Sequence, residues 1–121
     1  MSDKLIKQMR EQRMAWLELQ PGKSARLIRP TQIEVMRLMF KNGTIEITLE
    51  QAQQFVVDWQ GFTQADLLGA SVGSSDALDF DKDLWREVSN ENAKWLGDVA
   101  NRLLEMVLEK HGADRENQKN F

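Results

Sequence analysis

The chain has no cysteine and a single histidine, His111, among its 121 residues. Without thiols it forms no disulfide and no thiolate metal site, which fits a reducing compartment. A histidine-based triad or a transition-metal centre lacks its parts. Long apolar runs are missing too: none approaches the roughly 18–20 residues that span a bilayer. Lys4, Lys7, Arg10 and Arg13 are followed by no apolar run, so the N-terminus does not read as a secretory signal. These absences point to a soluble, cytoplasmic protein. What is present is ordinary for a globular domain: 41% hydrophobic and 29% charged residues, in a length suited to one modest core.

The charge is unevenly spread. Residues 1–41 carry nine Lys/Arg against four Asp/Glu, and residues 42–121 carry seven against fifteen, so the two stretches are net +5 and −8. Such a chain can associate head to tail or meet partners of opposite charge. The plainer reading is that these are solvated faces that cancel within the fold.

Along the chain the pattern is mostly helical. Residues 4–14 are good helix formers with a weak apolar stripe at Leu5, Met9, Ile6 and Met14. Trp16-Leu17-Glu18-Leu19 and Ala25-Arg26-Leu27-Ile28-Arg29 flank Gln20-Pro21-Gly22-Lys23, a hairpin signal in which Pro presets φ and Gly supplies a positive φ. Pro30 stops the second strand. Thr31 with Glu34 has capping-box spacing ahead of a helix through Phe40, closed by Asn42-Gly43. Thr44-Ile45-Glu46-Ile47 is short and β-prone, either a strand or an extended linker. Thr48 with Gln51 opens a further helix expected to reach Trp59, since Leu49, Ala52, Phe55, Val56 and Trp59 share one helical face. Gly61 stops it.

Residues 69–77 form the one loop candidate, and Asp79 or Asp81 caps a short helix with Leu84, Trp85 and Val88. The strongest helix follows Asn90 and runs to His111. Its two apolar stripes, one through Trp95, Val99, Leu103 and Met106 and one through Leu96, Ala100 and Val107, mean a broad buried face. Gly112 ends it. The expected architecture is therefore mainly α: one helical domain over residues 1–112 with a minor β-hairpin near the N-terminus, and a flexible polar tail over 113–121.

No catalytic set stands out. Asp79-Phe80-Asp81-Lys82-Asp83 opens like a calcium loop, but Leu84 stands where the turn needs glycine and Asn90 where the bidentate glutamate belongs. Aspartates at a helix start are explained by capping and by the dipole. His111 in a last helical turn is explained the same way. Ser71, Ser74 and Ser75 lie near Gly69 and Gly73 without a phosphate-loop lysine, and read as a connector. Glu105 and Glu109 are solvated charges four apart on a helix. The residues imply no enzyme, no metal and no cofactor.

What remains is apolar surface. Four tryptophans and six methionines are many for this length, and both types are enriched at interfaces. Most of the tryptophans belong in a core, yet a partner groove lined by some of these residues is the best function the chemistry offers. The segment 55–85 is the candidate, with Trp59, Phe62, Leu67, Leu68 and Trp85 as the partner-binding residues.

Two stretches carry a resemblance. One is Trp16-Leu-Glu-Leu-Gln-Pro-Gly-Lys followed by Arg29-Pro30. The other is Phe55-Val-Val-Asp-Trp59-Gln-Gly-Phe-Thr63, continuing through Ala65-Asp-Leu-Leu-Gly69 and Asp76-Ala-Leu-Asp-Phe80 to Leu84-Trp85. Their order of aromatic and Gly/Pro landmarks, over roughly residues 14–110, resembles the tail assembly chaperones of long-tailed bacteriophages. The resemblance implies a small, mostly helical, non-enzymatic protein that binds the tape-measure protein, keeps it soluble and helps recruit tail-tube subunits. It implies no catalytic residue, and the five partner-binding positions come from chemistry and position alone. Two other readings stand beside it: a small phage-encoded adaptor or inhibitor of a host protein, which shares the composition, and a nucleic-acid-binding module using the ridge Lys4, Lys7, Arg10 and Arg13, which the acidic chain as a whole disfavours.

Overall fold

A computed structural model describes residues 2–119, with side-chain surroundings as far as Ala113. An N-terminal helix α1 (Ser2–Gln12) leads into a hairpin of β1 (Met14–Gln20) and β2 (Lys23–Ile28). A single helical turn α2 (Gln32–Glu34) continues into a π-helical turn, Val35–Met39, and then a two-residue-per-strand hairpin of β3 (Phe40–Lys41) and β4 (Thr44–Ile45). Helix α3 (Leu49–Gln54), strand β5 (Val56–Gln60) and the short helix α4 (Gln64–Leu68) follow, then α5 (Lys82–Asn90) and the long α6 (Ala93–Lys119).

The expected mainly helical fold is corrected here to a mixed one. β1, β2 and β5 form a three-stranded antiparallel sheet in that order, and β3 with β4 makes a second, two-stranded one. The decisive difference is β5. The helix opened by Thr48 stops at Gln54, where Phe55 leaves helical backbone at φ −99°, ψ 15°. Val56–Gln60 then pairs with β2, with Arg26 opposite Asp58 and Leu27 opposite Val56. Val57 is thus an extra residue, a β-bulge that breaks the alternation of inward and outward side chains. That break makes Phe55, Val56 and Trp59 look helically spaced while two β-branched valines favour the strand.

Some short-range signals in the sequence match the structure and others are corrected by it. Thr31 and Glu34 make the reciprocal capping box, as do Thr48 and Gln51. Pro21-Gly22 turns the first hairpin, Gly22 taking φ +85°. Asn42-Gly43 instead closes the second hairpin, both residues having positive φ, 52° and 82°, as a tight two-residue β-turn requires. Asp81, not Asp79, caps α5 by accepting from the amides of Asp83 and Leu84. Helix α6 does not end at Gly112 but continues to Lys119, so the tail expected over 113–121 is helical as far as it is described; Asn120 and Phe121 lie outside the described residues.

The core sits between the sheet and α6. Leu19, Ala25, Leu27, Val56 and Trp59 point inward from the strands. Both stripes of α6 are buried in the same core, packed against α3 as well as against β1 and β2: Trp95, Leu96, Val99, Ala100, Leu103, Met106 and Val107. Each large side chain so buried contributes about 1.5–3 kcal/mol. Helix α5 is fixed to α3 through Gln53, whose carbonyl accepts from Trp85 Nε1 and whose Nε2 donates to Ser89 Oγ among other acceptors on α5. Among the described residues no helix is long and apolar enough to cross a membrane.

Candidate functional site

Helix α1 buries none of its residues. Its apolar positions Leu5, Ile6 and Met9 recur at helical spacing, yet Met9 is 66% exposed. A stripe of this kind ordinarily faces a core, and here it faces open space. The helix is held to the body at its C-terminal end: the Arg29 amide donates to the Arg13 carbonyl at 2.7 Å, and Arg13 Nη1 donates to the Arg29 carbonyl at 2.9 Å.

Opposite α1, the π-helical turn sorts its side chains in an unusual way. Val35 and Met39 are buried, while Met36 and Phe40 remain 63% and 55% exposed. The turn closes with the Phe40 amide donating to the Val35 carbonyl, five residues back, and such insertions occur often at functional sites. Between the two walls lies a groove of about 1240 Å³, its floor formed by Met106, Val107 and Val35. Among the described residues, Arg10, Arg13, Arg29, Arg102 and Lys110 stand around it, with one carboxylate, Glu109. Glu109 lies 3.7 Å from Arg102, which also bonds Glu105 at 3.1 Å. His111 lines the same rim, since α6 passes it without ending. The groove combines an apolar interior with a cationic border, a surface suited to an apolar polypeptide segment flanked by acid groups.

The five residues singled out from the sequence fall elsewhere. Trp59, Phe62 and Trp85 are buried, with 4%, 0% and 1% exposure. Trp59 stacks on Phe62 with ring centroids 4.4 Å apart, and Phe62 meets Trp95 edge-on at 5.8 Å. These rings are core. Leu67 is half-buried and Leu68 is 62% exposed, and neither lines the groove. The fourth tryptophan, Trp16, is exposed on the outer face of the sheet with the Arg26 guanidinium 5.8 Å from its ring. The groove residues escaped sequence reading because Met36 and Phe40 fit the inner face of an ordinary helix. The one signal that pointed to them was the number of methionines.

The loop 69–77 is not a slack connector. The Ala65 amide donates to the Ser74 carbonyl at 2.9 Å, and the Leu78 amide to the Phe62 carbonyl at 2.8 Å. Gly73 packs so closely that a Cβ there would lie 2.5 Å from the Gln64 carbonyl. Helix α4 is itself capped by a Thr63–Asp66 box, and Asp66 pairs with Lys23 at 3.0 Å. Partial burial pushes the Asp66 carboxyl up, but the bonds from Lys23 and Thr63 outweigh it and hold it below its ordinary value. No family model matches the chain, and comparison with curated proteins and with solved structures finds no match.

Proposed function

We propose that this chain is a phage tail assembly chaperone, a non-enzymatic protein that acts in the cytoplasm of the bacterial host. It binds the tape-measure protein and helps recruit tail-tube subunits around it. The observation that carries the reading is the groove between α1 and the Val35–Phe40 segment, where Ile6, Met9, Met36 and Phe40 stay exposed to one another across open space. A helper that keeps a long helical partner soluble needs such a surface, because it must cover apolar helix faces without enclosing them. The resemblance carried by 16–30 and 55–85 supplies the partner's identity.

The test is capture of partners by the tagged chain from cells expressing the tail gene cluster, identified by mass spectrometry. Wild type is expected to recover the tape-measure protein or the tube subunit, and the Met36→Glu variant to recover neither while remaining folded. Recovery of one host protein without tail components would replace this reading by that of a host-directed adaptor or inhibitor.

A further inference from the structure

The groove has a counterpart on the same molecule. Along α6, Trp95 meets Phe62 near α4, while Met106 and Val107 floor the groove. Eleven residues of helix separate these points, about 16 Å. The hairpin has the same polarity: Met14 lines the groove, and Lys23 at its other end is paired with Asp66 of α4. The α4–loop unit therefore stands at the opposite end of the fold. It exposes Leu68 at 62% and Val72 at 74%, the latter the most exposed large apolar side chain among the described residues. Asp76, in the same loop, is exposed, and its amide donates to Ser74 Oγ. The hydrogen bonds of residues 65, 74 and 78 and the tight seat of Gly73 hold this projection in one shape, so seating it elsewhere costs little ordering entropy.

One end is thus an apolar groove with a cationic border, and the other a hydrogen-bonded apolar loop that carries the acidic Asp76. We propose that the protein self-associates head to tail, with Leu68 and Val72 of one copy entering the groove of the next between Met9 and Met36. Asp76 of the entering loop then faces Arg10 and Arg13. The two contact surfaces are different patches, so the interface is heterologous and each pairing leaves one free groove and one free projection. Growth continues as a chain or closes as a ring. The inference rests on reading the groove as a docking surface, and not on the identity of the tail partner.

Sedimentation velocity on the purified chain tests it. Wild type is expected to gain mass beyond a dimer as its concentration rises, and to lose much of this in about 1 M salt, where the Debye length falls to about 3 Å. Two double variants separate the surfaces: Met9→Glu with Met36→Glu spoils the groove, and Leu68→Glu with Val72→Glu spoils the projection. All four side chains are exposed to solvent, so circular dichroism should match wild type. Each variant alone is expected to sediment as a monomer. An equimolar mixture should give a species of two chains and nothing larger, because one intact groove meets one intact projection. A monomeric wild type, a wild type that stops at a dimer, or a mixture that stays monomeric overturns the proposal. Because no tail component is present, these outcomes are independent of whether a tape-measure protein is captured.

Discussion

Trp59 Nε1 donates to the carbonyl oxygen of Leu78 at 2.8 Å, which ties the third strand to the segment returning from the α4 loop. The same indole stacks on Phe62 and meets Phe80 edge-on at 5.5 Å. Replacing Trp59 by Phe removes the donor and leaves both a cavity and an unpaired carbonyl. A loss of about 1–3 kcal/mol is expected from the unpaired group alone. Trp16→Phe, at an exposed position, should fall within about 0.5 kcal/mol of wild type. Urea denaturation of both variants checks this; equal losses would contradict the separation of the two tryptophans into core and surface.

Glycines at two places should respond with opposite signs. Gly61 has φ +84°, and a Cβ there would overlap the Gly22 carbonyl oxygen. Gly61→Ala therefore meets a backbone clash in addition to about 1–2 kcal/mol for the left-handed conformation. Gly97 lies inside α6, and a methyl group added there would meet nothing within 4 Å. Gly97→Ala should stabilise by about 0.5–1 kcal/mol, the helix cost of glycine relative to alanine. Thermal melts of the pair read both signs at once.

Asp66 links acid stability to the α4 end. Its carboxyl is held below the ordinary 3.8, so its folded form favours ionisation. A depressed folded value stabilises above the unfolded value and is lost as pH falls through the folded one. Denaturant midpoints measured from pH 6 to pH 2 should fall below about pH 4 in wild type. Asp66→Asn should be less stable at the upper end of that range and show a shallower fall, the two curves approaching one another in acid.

Gln53 is the bolt between α3 and α5. Its Nε2 donates to Ser89 Oγ and Asn90 Oδ1, both at 2.8 Å, and to the Arg86 carbonyl at 3.1 Å. Gln53→Ala should cost about 0.5–1.5 kcal/mol through the lost hydrogen bonds, since Ser89 Oγ keeps its bond to the Arg86 carbonyl. Gln53→Glu should cost more at neutral pH, since it sets a carboxylate among three acceptors near a helix C-terminus. Lowering the pH should narrow the gap between the two variants, as read by the same denaturation assay.

The parts of the fold legible in the sequence are those decided within a few residues. Thr31 with Glu34 and Thr48 with Gln51 announce their helix starts because the capping bonds span three positions. The broad face of α6 was legible because seven apolar side chains keep one period over a long helix. β5 was not, because Val57 bulges and the strand exists only through its pairing with β2. Asn42-Gly43 suits a helix end and a hairpin turn equally, and the chain beyond it decides. The groove was hidden for a similar reason: exposure of Met9 depends on what α1 fails to touch, which no local pattern encodes. Trp59, Phe62 and Trp85 were apolar enough for an interface and were taken instead by the core.

The π-helical turn at Val35–Met39 makes the width of the groove a matter of counting. An α-helix advances about 100° per residue, and the extra residue in this turn rotates everything after it by one such step. Removing one residue, Arg37 for example, would let the turn close as α-helix and swing the Phe40–Ile45 hairpin out of phase with α1. Phe40 would then leave the wall although every other side chain kept its identity. In this wall, spacing along the chain is as much a determinant of specificity as composition, and a length variant would alter binding where many point substitutions would not.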